Sequence, residues 1–475
     1  MTEILLWAGY FAVFAFLVHK GRSKDAVLSG SVGFGVQAFA YVATYISAVA
    51  LVGFGGLAHA YGLQMLLVAA GNVWFGTWAV YRFLAWPTRK WQERLGARTP
   101  AQLLGLGHGS PSLTRAMAFV FALFLGVYGS AVIKGAALLL AEILPVPVWA
   151  LIWLVAIIVG LTAFIGGLRG VLYTEAMQGV VMLVGMLMLV GAIFSKVGGP
   201  WEGMQALAAL PPSDLANNGF VSLSGGERGL FILSLVVVTS IAVWAQPQMM
   251  QRHFAIADPR QLKKTTPLAM FILTVLVGGA YFAAALSRLI LPEVASPDEV
   301  MPRLVQMLLP EFALHISCWP SFPRRCRRPP ASTTSRCPPS PKTCAGGPAT
   351  GPFVVHRHRH LRARQRRLRQ IKGQLVALLC TTSWSIVGAM ALVPYVALVR
   401  FGRRNAGAAW ASAACGFFSC LAWYLIAYGP TSIWGPQLGS VAAGIPPFFV
   451  GFLFSWIGWI AVSALSESPA LEQEA

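Results

Sequence analysis

Apolar residues in this chain come in long unbroken runs, not in the short periods of half-buried surface helices or strands. Runs of about 20 residues, each long enough to cross the hydrocarbon core of a bilayer, lie near 3–19, 32–57, 63–84, 114–143, 147–166, 172–195, 228–247 and 266–290. Three more lie near 374–399, 407–428 and 441–465. The pattern predicts an all-α polytopic membrane protein with eleven readable spans. The first run, Ile4–Val18, follows Glu3 without a basic leader or a small-residue cleavage site, so a retained span is expected rather than a signal peptide.

Polar residues between the runs set the orientation. Lys20, Arg22 and Lys24 follow the first run, and Arg82, Arg89, Lys90, Arg94 and Arg98 follow the third. Arg169 follows the fifth, while Arg252, Arg260, Lys263 and Lys264 follow the seventh. Every second loop is therefore basic, which by the positive-inside rule places the N-terminus outside the cell membrane.

Within the second run, Ala40–Gly62 is rich in small residues, and Gly53, Gly55 and Gly56 crowd its far end. Two readings compete. Such a span either packs closely on its neighbours through its glycines, or it is broken, freeing carbonyl oxygens for a cation near the bilayer midplane.

Residue by residue this stretch resembles the second span of the sodium/solute symporters, which include sodium/proline and sodium/pantothenate carriers. Their small residue, Ser or Thr, two variable positions and Ser become Ala43, Thr44, Tyr45, Ile46 and Ser47. Their Gly-x-Pro-Gly and following Tyr become Gly53, Phe54, Gly55, Gly56 and Tyr61. The stretch Gly166–Gly179 is similar to the family's Gly-Gly-Leu-Arg signature, with Glu175 where an aspartate is usual. Pro247–Lys264 is similar to its Pro-Gln…Arg…Ala-x-Asp loop, and Pro394–Gly407 to its short basic loop.

The resemblance implies a leucine-transporter-like core of five plus five helices in inverted repeat, with extra N- and C-terminal spans. It implies sodium as coupling ion, bound through the backbone carbonyls of Ala43 and Ile46. Ser47, Thr44 and Gly53 would border the solute cavity, and Glu175 would attract a departing ion at the inner mouth. Tyr45, standing where proline carriers have an aspartate, argues against proline as solute. Read without the family, Gly166–Arg169 is a cytoplasmic turn, and Thr174, Glu175 and Gln178 cap the helix that follows.

Composition agrees with a membrane protein: 56% of residues are hydrophobic and 11% charged, with a mean hydropathy of +0.66. The net charge of +20 misleads, because 14 basic residues and no acidic one lie between Arg324 and Lys372. The rest carries 22 basic against 16 acidic residues, or +6. Cys380, Cys415 and Cys420 sit in apolar runs and are expected as small core residues. No Ser/His/Asp set, zinc-ligand spacing or Walker loop occurs, which excludes the common hydrolase and ATP-driven classes.

The basic segment stands where the ninth and tenth spans belong. Taken as a nucleic-acid or anionic-lipid patch, or as a disordered loop, it falls on the outer side, against the positive-inside rule. A displaced reading frame accounts for it better. If each new codon takes the third base of one codon and the first two of the next, Cys318–Trp319 must give Leu and Trp319–Pro320 must give Ala. Arg325 to Thr333 then permits Met-Ser-Thr-Ala-Ala-Ser-Ile-Asp, matching the family's ninth span, whose Ser-Thr pair would complete the sodium shell. With the frame restored, 13 spans are expected.

The sequence thus divides into spans one to eight (1–316), the anomalous segment (317–372) and the C-terminal spans with a short tail (373–475). It points to sodium-coupled uptake of a small organic solute across the inner membrane, without a nucleic-acid partner. The rival reading is a non-transporting symporter-like sensor or interaction module. The orientation is testable with single cysteines introduced into the loops of intact cells. Those in Arg89–Arg98 are expected to resist an impermeant thiol reagent; labelling there from outside reverses the topology.

Overall fold

The computed structural model describes residues 2–21, 32–309 apart from 142, 143, 145, 225, 227, 228, 293 and 295, then 375–428 and 444–465. Arg22, Lys24, the anomalous segment 317–372 and the tail after Leu465 lie outside the described residues. Those described are almost wholly helical, with one isolated bridge between Ser213 and Ala216. Seven helices are long and apolar enough to cross a membrane, eight when one bent pair counts as a span.

The predicted runs all appear as helix, but two depart from the expected form. The runs at 147–166 and 172–195 are one continuous helix of 50 residues, α8 (Val148–Val197), with no turn at Gly166–Arg169. Thr174 consequently caps nothing: its hydroxyl donates back to the carbonyls of Gly170 and Val171 (3.1 and 2.9 Å). Such back-bonding satisfies a hydroxyl inside a helix without interrupting it. Before α8 the chain forms α1 (Thr2–Gly21), the second and third spans, the short α5 (Trp86–Leu95) and α6 (Pro100–Gly107), and α7 (Pro111–Ala141).

The second span is broken. Helix α2 (Phe34–Tyr45) ends at Ile46, whose backbone is extended (φ −98°, ψ 99°), and helix resumes at Ala48. It continues as a wide π-helical turn, Val49–Phe54, and then α3 (Gly55–Tyr61). No proline forces this break. Instead the Ser47 hydroxyl accepts from the Val49 amide (3.3 Å), and the Ser47 carbonyl accepts from Ala50 (2.9 Å). A serine can thus start a helix from its own side chain.

The glycines lie beyond the break and serve packing. A Cβ added at Gly53 would stand 2.9 Å from the Ala377 amide nitrogen, and at Gly55 2.5 Å from Met301 Cγ. At Gly56 it would overlap the Pro297 carbonyl. The span is therefore broken at Ile46–Ser47 and packed through its glycines beyond that point.

The third span begins with α4 (Leu66–Val73), and the extramembrane α9 (Pro200–Ala208) follows α8. The seventh span is broken too. Helix α10 (Gly229–Ser240) leads through a tight turn, Ala242–Ala245, to an extended Gln246, then to α11 (Pro247–His253), with a 55° bend. Here Pro247 is the cause, since the residue before a proline is driven from helical backbone and proline suits a first helical position. Most of what looked like the start of a cytoplasmic loop is thus the second half of a broken span. The eighth span is α12 (Pro259–Leu273) continuing into α13 (Gly279–Leu286), and α14 (Val300–Leu308) follows.

After the undescribed segment come α15 (Leu375–Phe401), α16 (Ala406–Ile426) and α17 (Pro447–Leu465). The last two pack through small residues: Gly458 lies against the Ala411 carbonyl, and the Ser412 and Ser455 hydroxyls meet at 2.8 Å. Close backbone approach of this kind drives helix association in lipid. Cys380 and Cys420 are buried as expected, whereas Cys415 is exposed, with its sulfur beside Gly458 of α17.

The packing gives a contrast between two glycines. Gly56→Ala is expected to destabilise the purified chain by about 1–3 kcal/mol, because a backbone carbonyl cannot step aside. Gly126→Ala, with nothing within 4 Å of the added atom, is expected to be neutral or stabilising by up to about 1 kcal/mol. Thermal melts in one detergent compare them directly.

Candidate ion and solute site

The break in the second span opens onto a cavity of about 20 Å³, bordered by Tyr45, Ile46 and Ser47, by Asn72 and Thr239, and by Trp384. That is room for about one water-sized particle. Among the described residues, Val42 is the last residue of α2 whose carbonyl receives a backbone amide, from Ile46 at 2.7 Å. The carbonyls of Ala43, Thr44, Tyr45 and Ile46 receive none among those residues. They form the C-terminal end of a helix, where the backbone dipole concentrates negative charge. Oxygen-rich and partly negative, this end suits a small hard cation.

One amide oxygen ties the two broken spans together. Asn72 Oδ1 accepts from Ser240 Oγ (3.0 Å) and lies 2.7 Å from Thr239 Oγ1, whose single proton it shares with the Leu235 carbonyl (2.8 Å). The Tyr45 hydroxyl gives its single proton to the Thr239 carbonyl, at 2.5 Å, and stands 3.3 Å from Asn72 Oδ1. Trp384 stands edge-on to Tyr45 and tilts against Tyr128, whose hydroxyl donates to Ser47 Oγ (3.2 Å). The cavity wall is therefore uncharged and largely apolar, with Val49, Phe54, Val277 and Tyr281 completing it and the polar groups of Tyr45, Asn72 and Thr239 engaged with one another.

On the other side of the break lies an ion pair. Arg252 Nη2 meets Glu175 Oε1 at 2.5 Å. Arg252 Nε donates to the Thr44 hydroxyl (2.8 Å), which has its single proton to share between Glu175 Oε2 (3.1 Å) and the Ala40 carbonyl (2.8 Å). Gln37 Nε2 holds the Arg252 carbonyl at 2.9 Å. Three elements, α2, α8 and α11, are thereby joined at one point.

The residues singled out from sequence separate into three groups. Ile46 and Ser47 border the cavity. Ala43 sits half-buried on the last turn of α2 without lining it, and Thr44 turns away to Glu175. Gly53 packs against α15. Glu175 is no helix cap, because α8 runs through it and its carboxylate faces an arginine. Asn72, Thr239, Ser240 and Arg252 escaped notice. Asn72 had a legible signal, as the one asparagine in the third apolar run, and Arg252 had one in its distance from the other basic residues of its supposed loop.

Comparison with known proteins gives the family and the fold. The model of the sodium:solute symporter family matches residues 27–317. The sodium/pantothenate symporters of Haemophilus influenzae and Escherichia coli are each 28% identical to the chain, over 291 and 296 residues. These matches cover 59% and 61% of this chain, and 57% and 59% of the relatives. The chain thus matches somewhat more than half the length of those relatives. A high-affinity proline transporter of Bacillus subtilis is 25% identical over 293 residues, 58% of this chain and 59% of the relative. Among solved structures, a Na+-coupled sialic acid symporter in a substrate-bound outward-open state superposes with a TM-score of 0.64 at 14% identity, covering 98% of both chains. That likeness concerns the fold, the leucine-transporter-like one. With the family model matching well over half of its residues, the chain belongs to the sodium:solute symporter family.

Proposed function

We propose that this multi-pass membrane protein is a secondary transporter of the inner membrane, carrying a small organic solute inward with sodium. The observation that carries this reading is the set of carbonyls at Ala43–Ile46 without amide partners among the described residues, beside a cavity between two broken spans. The relatives named sodium/pantothenate symporters support sodium as the ion.

In this reading the carbonyls of Ala43 and Ile46 hold the sodium, and the Ser47 hydroxyl lies beside it. Solute enters next to Tyr45, Asn72 and Trp384, displacing the hydrogen bonds that now close the space. Thr44, Glu175 and Arg252 form the inner closure. Release inward requires Arg252 to leave Glu175, whose carboxylate then faces the ion's route.

The variants that test this add bulk at the break. Ser47→Trp or Ala43→Trp is expected to raise the sodium concentration for half-maximal uptake by roughly tenfold or more, the effect of losing one good ligand. Volume-conserving changes at Ala43 are expected to be mild. Unaltered sodium dependence in the Trp variants removes the site from this position.

The segment 317–372 enters as a second part of the proposal. The family match ends at residue 317, where the basic, acid-free segment begins. This supports a displaced frame across the ninth and tenth spans, and with it the division at 317 and 372. Two or three oxygens of the second span do not fill a sodium shell, and the chain as it stands has Cys326, Arg327 and Arg328 where hydroxyls are needed. Sodium-stimulated uptake into proteoliposomes is expected from a frame-restored chain and not from this one. Uptake by this chain, with its DNA confirmed in frame, defeats the proposal.

A further inference from the structure

The link between α13 and α14 folds back over the end of the broken second span. The Ser296 hydroxyl accepts from the Asp298 amide (3.3 Å) and starts a short turn, Pro297–Glu299. Pro297 lies on Gly56 and Met301 on Gly55, while Ala377 of α15 lies on Gly53. Lid, glycine row and first turn of α15 therefore make one continuous contact, at the opposite end of the span from the Glu175–Arg252 pair.

Asp298 is inside that contact, only 4% exposed. Its carboxylate accepts from the Val376 amide, near the start of the described part of α15. Its Oδ1 has no partner among the described residues. A buried carboxylate with so few hydrogen bonds is costly when ionised and much less so when neutral.

The groups around it do not reverse that balance. Lys134 of α7 attracts the charge, and the neighbouring Glu299 repels it while pairing with Arg303 at 2.7 Å. The glycines of the second span bring no charge, and His59 of α3 is held by Ser287 at 2.9 Å. Burial prevails, pushing the Asp298 carboxyl up to about 6.

We propose that Asp298 is a proton-sensitive positioning residue of an outer lid, whose neutral form holds the lid on the glycine row and α15 and whose ionised form favours release. This rests on the transporter reading above. A carboxyl that titrates near 6 under the closed lid and near 3.8 when free binds its proton more tightly in the closed state. The closed lid is therefore favoured as pH falls below 6, and this advantage is absent above about pH 7. Between about pH 7.5 and about pH 5 the equilibrium moves roughly tenfold toward closure.

Cys380 reports on this. It is 1% exposed, lies one turn below Val376 and borders the central cavity. The full-length chain in intact cells is treated with an impermeant methanethiosulfonate, and the signal absent in Cys380→Ala is taken as the rate. Comparing wild type with Asp298→Asn at each pH cancels the reagent's own pH dependence. The wild type is expected to label faster, and the ratio to shrink roughly tenfold from about pH 7.5 to about pH 5. Asp298→Glu, which keeps a titrating carboxyl, is expected to retain a pH-dependent ratio against Asp298→Asn. A ratio indifferent to pH overturns the proposal, as does a pH-dependent change that persists within Asp298→Asn once the reagent's own is subtracted. The readout needs neither solute nor sodium. Normal sodium-driven uptake by the frame-restored chain with a pH-indifferent ratio removes the lid mechanism alone. A pH-dependent ratio without uptake by the frame-restored chain keeps the lid and removes the transporter reading.

Discussion

Backbone carbonyls without partners are intolerable in hydrocarbon, and the break at Ile46–Ser47 creates four of them. The rest of the arrangement follows from having to surround that break with protein. Tyr45, beside it, is anchored on the Thr239 carbonyl of the other broken span. Asn72 Oδ1 receives the hydroxyls of Thr239 and Ser240 and stands beside that of Tyr45, so that the third span meets the second and seventh at one point. Aromatic rings of α7 and α15 cover the remainder. What is left open is small, uncharged and mostly apolar on its walls.

The same span is clamped on either side of its break by opposite chemistry. Before the break, Thr44 joins a buried ion pair, an arrangement whose stability depends on both partners staying together, since separating them leaves buried charge uncompensated. Near the outer end, contact is van der Waals and depends on hydrogen atoms standing in place of side chains at Gly53, Gly55 and Gly56. A charged clamp can exchange its partner for an ion or water. A glycine contact can only separate as a surface, which suits a hinged lid better than an exchangeable ligand.

Helical spans were legible in the sequence because lipid demands about 20 apolar residues for each crossing, and few other structures use such runs. The breaks were legible only in part. Pro247 announces one through its missing amide, but Ser47 makes the other with a side-chain hydrogen bond that serine also forms in unbroken helices. The continuous α8 was hidden by Gly166, Gly167 and Arg169, which read as a loop although each is tolerated within a helix. Asn72 and Arg252 acquire meaning only from partners 167 and 77 residues away. No local pattern carries such pairings, which is why the cavity's lining was missed while its entrance, Ile46 and Ser47, was found.

Arginine separates the described core from the segment between Arg324 and Lys372. Arg252 lies only 6% exposed inside the bundle because Glu175, Thr44 and the neighbouring backbone divide its charge among them. That arrangement needs an acid at the right depth on another helix. The segment from Arg324 to Lys372 offers 14 basic residues and not one acid. The rest of the chain carries 22 basic against 16 acidic residues. Placed at the centre of a bilayer without such partners, each arginine costs about 2.5–3.5 kcal/mol on insertion scales. Pro320, Pro323, Pro329 and Pro330 would add interrupted helix to that. Two or three such residues already cancel the gain from burying an ordinary apolar span. The chemistry that admits Arg252 is thus one that this stretch of sequence cannot supply from its own residues.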